Sequence, residues 1–186
     1  VMVKAYAELT EYEELGVIEA MDSRSRAFVK IEDGCDRFCS YCVIPFARGK
    51  VRSRSEKDVL TEVRSLLAKG YGEIVLTGIN TALYGKERGG LEVLELLKKI
   101  DEIRGDFRVR LSSLEPTVIN AEYVKRLLDC KKLCHHLHLS VQSGSNKILR
   151  EMNRRYNRDD YLRIVETLRE FDGAYGITTD IIVGFP

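Results

Sequence analysis

Apolar positions along the chain follow two alternating spacings. In AFVKIEDG (27–34), EIVLTGIN (73–80), FRVRLSSLEP (107–116), HLHLSVQSG (136–144) and ITTDIIVGFP (177–186) they form short runs, most of them closed by Gly, Pro, Asn or Ser. Such runs predict strands. In 55–70, 91–103, 120–130 and 158–171 the apolar residues recur at helical spacing. The first of these segments also carries a Ser cap, early acids and a closing Gly, the usual boundaries of a helix. Five strands alternating with four helices make βα units and a parallel sheet. Right-handed crossovers leave two arrangements: a sheet wound on both faces, or one that curls toward a barrel. Residues 1–22 have no sustained period and read as a linker or the tail of a preceding domain. Residues 23–186 form the core domain. The chain stops at Pro186 directly after a strand, so a barrel-type domain is expected to be incomplete there.

Composition narrows the class. The 186 residues are 44% hydrophobic and 32% charged, which fits one soluble globular domain rather than a disordered chain. No apolar run reaches the roughly 18 residues of a membrane span, and the N-terminus has no signal-peptide pattern. No membrane partner and a cytoplasmic location are therefore expected. The net charge is +1, but residues 24–54 hold eight Lys or Arg against three acids, and 147–158 hold five against one. Locally basic segments attract polyanions whatever the net charge. Arg48, Lys50, Arg52 and Arg54 in the first segment, and Arg155 and Arg158 in or beside the second, are the candidate nucleic-acid contacts. A solvated surface with locally paired charges is the simpler alternative.

The chemistry lies in five cysteines, which a reducing cytosol keeps out of disulfides. Cys35, Cys39 and Cys42 stand at C-x3-C-x2-C directly after the first predicted strand. Soft thiolates close together on one loop select zinc, Cu(I) or an iron–sulfur cluster. A closed zinc site needs a fourth ligand, which His135, His136 or His138 would have to supply. Three thiolates on a four-iron cluster instead leave one iron open. Cys130 and Cys134 read as buried core residues. Polar groups gather at the ends of the later strands: Gly78 and Asn80, Ser113 and Glu115, Gln142 and Ser143, and Gly184. In barrels that is where chemistry sits, although ordinary βα turns and helix caps use the same residue types.

The cysteine loop, with Tyr41 before its last Cys, resembles the signature of the radical S-adenosylmethionine superfamily. The resemblance implies a partial parallel (βα) barrel of the α/β class, ending here after its fifth strand. It implies a 4Fe-4S cluster on Cys35, Cys39 and Cys42, with S-adenosylmethionine chelating the open iron and cleaved by electron transfer. It also implies cofactor contacts at Tyr41, at the Gly78–Asn80 turn near the methionyl amino group, and at Ser113, Glu115, Gln142 and Ser143. Gly184 would lie near the adenine, and Arg154, placed after the fourth strand, either holds an RNA phosphate or instead faces the cofactor carboxylate. Segments 26–54, 76–85, 136–157 and 178–186 together resemble the methylthiotransferases, and most of all those that act on C2 of N6-threonylcarbamoyladenosine beside the tRNA anticodon. Sister groups act on isopentenyladenosine in tRNA or on an aspartate of a ribosomal protein. A zinc-binding RNA module without catalysis is the alternative from another class. The family resemblance further implies a second 4Fe-4S cluster in an N-terminal domain, an RNA-binding C-terminal module, a tRNA anticodon loop as substrate, with Phe46 as a base-stacking surface, and an electron donor such as a flavodoxin or ferredoxin. It also implies that this chain by itself does not complete the transfer.

Overall fold

A computed structural model of the chain describes residues 8–14, 16–18, 25–90 and 92–186. Most of the predicted linker, 1–22, lies outside them. Among the described residues the strands are β1 (Ala27–Lys30), β2 (Glu32–Asp33), β3 (Arg52–Ser53), β4 (Glu73–Thr77), β5 (Arg108–Leu111), β6 (His136–His138) and β7 (Gly176–Thr178). The helices are α1 (Ile44–Arg48), α2 (Glu56–Ala68), α3 (Val93–Asp101), α4 (Ala121–Leu128), α5 (Asn146–Glu151) and α6 (Arg158–Phe171).

The strand order decides between the two arrangements left open by the sequence. β1, β4 and β5 pair in parallel in that order, and β6 pairs in parallel with β7. Parallel bridges Val109–Leu133 and Leu114–Leu139 join the β5 segment to the β6 segment. Spatial order therefore follows chain order. Right-handed crossovers that all step the same way place their helices on one face, and the sheet curls as a partial barrel.

The central strand β4 is buried at four of its five positions, as a parallel strand covered on both faces should be. Val29, Ile74, Leu76, Val109 and Leu111 are each at most 1% exposed and form the core with Val59, Val63 and Leu66 of α2. Helix starts follow local chemistry. Ser55 caps α2 by accepting from Asp58 N–H at 3.1 Å. Asn157 and Asp160 form a reciprocal capping box on α6, an arrangement that satisfies two otherwise unpaired N–H groups. Cys130 and Cys134 are buried, 6% and 8% exposed. No described helix is long and apolar enough to cross a membrane.

β2 and β3 pair antiparallel, and the chain between them, 34–51, is the cysteine loop. Its base is pinned where Cys35 N–H donates to Gly49 carbonyl oxygen at 3.0 Å. Gly34 makes that closure possible: its φ is +82°, and a Cβ there would lie 1.9 Å from Lys50 carbonyl oxygen.

Candidate functional site

The strand ends and the cysteine loop meet in one cavity of about 230 Å3. Cys35, Cys39 and Cys42 line it on one side, with Tyr41 between them. Asn80 from beyond β4, Ser113 and Glu115 from beyond β5, and Gln142 and Arg154 from the chain after β6 line the other. Nine of the predicted site residues thus converge, from positions up to 119 apart in sequence (35 to 154). Ser143 is buried at 8% exposure but outside the lining. Gly78 faces Glu32 instead: a Cβ on it would lie 2.4 Å from Glu32 Oε1. Gly184 is exposed, while its neighbour Phe185 meets the Tyr41 ring edge-on at 6.3 Å.

Glu115 organises the polar wall. It is 5% exposed. Its Oε1 accepts from Arg154 Nη1 at 2.8 Å and from Thr117 Oγ1 at 2.9 Å, and its Oε2 accepts from Asn80 Nδ2 at 3.3 Å. Arg37, which the sequence reading passed over, pairs with the same carboxylate at 3.5 Å. Arg154 Nη2 reaches Ser140 carbonyl oxygen at 3.2 Å. Yet Asn80 Oδ1 and Arg154 Nε are buried without any hydrogen-bond partner. Buried polar atoms are normally satisfied, so an unpaired acceptor and an unpaired donor on one cavity wall point to a polar ligand there.

The cysteine loop is held in a strained form from the opposite side of the cavity. Phe38, Gln142 and Asn153 are the non-glycine residues with positive φ among the described residues, at 50°, 65° and 57°. Backbone strain of this kind persists only where the surroundings over-determine it, and it gathers at functional sites. Asn153 Nδ2 donates to Phe38 carbonyl oxygen at 2.8 Å and to Arg37 carbonyl oxygen at 3.4 Å. Ser40 N–H donates to Met152 carbonyl oxygen at 3.2 Å, and Ser40 Oγ to Glu151 carbonyl oxygen at 2.9 Å. Cys39 lies between the two clamped residues.

The donor set fits an iron–sulfur cluster better than zinc. The three histidines take no part in the cavity: His135 bonds Asp172, and His136 and His138 both reach Thr178. Among the described residues, no group of three or more His, Cys, Asp or Glu is arranged around a single ion. Three soft thiols on one wall, facing unpaired hard donors and acceptors on the other, suit a cluster with an open iron and a zwitterionic ligand. Burial pushes the Cys35 thiol up to about 11 and raises that of Cys39 as well. Binding a metal there must therefore displace protons.

Behind the β4 turn sits a second buried acid. Glu32 is 0% exposed, and its Oε1 accepts from Asn80 N–H at 2.6 Å. Withdrawal from water raises its pKa to about 8 despite that bond. The folded chain then holds a proton that the unfolded chain loses near ordinary carboxylate pH. Stability should therefore fall as pH rises from about 4.5 to about 8, by an amount on the order of 5 kcal/mol, and level off outside that window. Glu32→Gln keeps the acceptor and should remove this slope in urea unfolding. An unchanged slope in the variant would show that Glu32 ionises freely.

The basic residues divide. Arg52 and Arg54 are 7% and 3% exposed. Arg54 is locked between Glu14 and Glu62, and Arg52 donates to Arg48 and Lys50 carbonyl oxygens while facing Asp33. Neither presents a guanidinium to an RNA, contrary to the sequence expectation; both stiffen the base of the cysteine loop. Arg48 is half-exposed and bonded to Asp33. Lys50, Arg155 and Arg158 are exposed. Phe46, 69% exposed, meets Phe38 edge-on at 5.6 Å on the outside of the loop.

Comparison with known proteins bears on the same region. The model of the Radical SAM superfamily matches residues 29–186. The threonylcarbamoyladenosine tRNA methylthiotransferase MtaB of Thermotoga maritima is 47% identical over 168 residues, covering 90% of this chain and 38% of that protein. The tRNA-2-methylthio-N(6)-dimethylallyladenosine synthase of Clostridium tetani is 46% identical over 165 residues, covering 88% and 36%. The chain thus spans less than two-fifths of either relative. Among solved structures, the radical S-adenosylmethionine methyltransferase TsrM from Kitasatospora setae superposes with a TM-score of 0.65 at 20% identity, over 84% of this chain and 30% of that one. That likeness concerns the fold.

Proposed function

The chain belongs to the radical SAM superfamily, and from that premise we propose that it is the catalytic core of a tRNA methylthiotransferase acting at C2 of N6-threonylcarbamoyladenosine. The observation that carries the reading is the single cavity into which Cys35, Cys39 and Cys42 face the Asn80–Glu115–Arg154 wall. In this family a 4Fe-4S cluster and S-adenosylmethionine supply one-electron cleavage of a sulfonium and, with it, hydrogen abstraction from carbon. The three thiolates would hold the cluster. The unpaired Asn80 Oδ1 suits an ammonium, and the unpaired Arg154 Nε suits a carboxylate. Glu115 holds both side chains in place and keeps the Arg154 charge neutralised until a ligand arrives. Carbon–hydrogen chemistry needs a site shielded from water, and these strand ends form a recess on the barrel that an extruded base would close.

Sulfur insertion needs a sulfur source that these residues do not offer, because Cys130 and Cys134 are buried apart from the cavity. We assign that role to a second 4Fe-4S cluster on an N-terminal domain, and the reducing equivalent to a flavodoxin or ferredoxin. Two relatives of nearly equal identity bear different adenosine names, so the nucleoside is the point to test. Full-length protein, reduced anaerobically with S-adenosylmethionine, should be offered tRNA bearing threonylcarbamoyladenosine, tRNA bearing isopentenyladenosine, and ribosomal protein. Nucleoside and peptide mass spectrometry should find the methylthio group on the first substrate alone. Product on either of the others would replace this assignment with the sister one.

A further inference from the structure

Next to the cysteine cavity lies a wider and largely open groove of about 650 Å3. Its charged lining is wholly basic: Arg37, Lys86 and Arg126, with no carboxylate among the residues that line it. Gly89 and Gly90 leave part of the wall without bulk, and a Cβ on Gly89 would meet nothing within 4 Å. Tyr123 Oη is buried there without a hydrogen-bond partner, while the Thr117 hydroxyl is already given to Glu115. Arg37 lines both cavities. The wider one is built from the segments that follow β4 and β5, so it opens on the same side of the sheet as the cysteines.

Each cation already has a carboxylate beside it: Arg37 faces Glu115 and Asp36, Lys86 bonds Asp36, and Arg126 lies near Glu95. Arg126 stands 3.9 Å from Glu95, with both side chains about half exposed. Lys86 pairs with Asp36 where both are about one-third exposed. Exposed pairs of this kind contribute little, so an incoming anion can replace the carboxylates at small cost. Two guanidiniums, an ammonium and one unpaired hydroxyl around a small-residue wall form a donor set matched to a phosphate.

We propose that this basic cavity holds a backbone phosphate of the RNA whose nucleobase enters the cysteine cavity. The assignment rests on the RNA-substrate reading above and adds the place where the strand is gripped. Arg37, shared by both cavities, then links phosphate binding to Glu115 and the polar wall.

The test is binding of a fluorescent anticodon stem-loop to the full-length protein across about 50 to 200 mM salt. Lys86→Gln and Arg126→Gln should each weaken binding about three- to tenfold at fixed salt. Each should also lower the slope of log affinity against log salt by about 0.7 to 1, the signature of one lost phosphate contact. S-adenosylmethionine affinity should stay at the wild-type value. Arg64→Gln, an exposed site on α2 outside both cavities, should leave affinity and slope unchanged. Circular dichroism verifies the fold, and if Arg126→Gln melts early, Lys86→Gln decides. Variants that bind with the wild-type slope overturn the phosphate site and leave the RNA reading standing. Full-length protein that binds no stem-loop overturns both.

Discussion

Cys39→Ser will leave the fold intact and abolish S-adenosylmethionine cleavage. Cys39 is only partly buried, and Ser is nearly isosteric with it, so little packing is lost. What disappears is a soft ligand. Hydroxyl oxygen is a hard, poor substitute for the soft thiolates that hold iron–sulfur clusters. The same holds for Cys35 and Cys42, since all three face one cavity. Formation of 5′-deoxyadenosine, followed by chromatography after anaerobic reduction, should drop from the wild-type rate to background in each single variant. Cys130→Ser and Cys134→Ser should retain the activity, because those thiols lie in the core. A Cys39→Ser protein that still cleaves the cofactor would remove the chemical basis of the assignment.

Asn153→Ala will weaken the grip on the cluster without touching a ligand. The Asn153 amide is the tie between the segment after α5 and the strained Phe38 turn. Its loss removes a hydrogen bond that lies near solvent, at a net cost of about 0.5–1.5 kcal/mol. Alanine at a φ of 57° adds strain of roughly 1 kcal/mol. Iron release to a chelator should accelerate about tenfold or more. Asn153→Gly separates the two causes: it relieves the backbone and still lacks the amide, so it too should release iron quickly. If the Gly variant holds iron as firmly as the wild type, the hydrogen bonds are not the clamp and backbone strain alone explains the Ala result.

The division between what the sequence discloses and what it conceals has physical causes. β4 and β5, with α2, α3, α4 and α6, carry enough turns or buried β-branched positions for their periods to be read. The choice of barrel over two-sided winding is not written in any period; it is set by pairings such as Leu114 with Leu139. Helices α1 and α5, of 5 and 6 residues, are too short to show a repeat. The two-residue strands β2 and β3 exist only through each other. The cysteines, Tyr41, Asn80 and Glu115 are legible because spacing and strand-end position single them out. Asn153 and Arg37 are not, since their roles arise from contacts 115 and 78 residues away along the chain. Arg52 and Arg54 mislead for the opposite reason. A charge run reads as surface, whereas here Asp33, Glu14 and Glu62 neutralise it inside the protein.

The most direct measurement is electron paramagnetic resonance of the anaerobically reconstituted, reduced chain, recorded with and without S-adenosylmethionine and paired with an iron assay. The account predicts about four irons per chain and a cluster signal whose g-values move when the cofactor is added, because the cofactor occupies the one iron that no cysteine holds. A protein that takes up no iron, or a cluster spectrum indifferent to the cofactor, would contradict it.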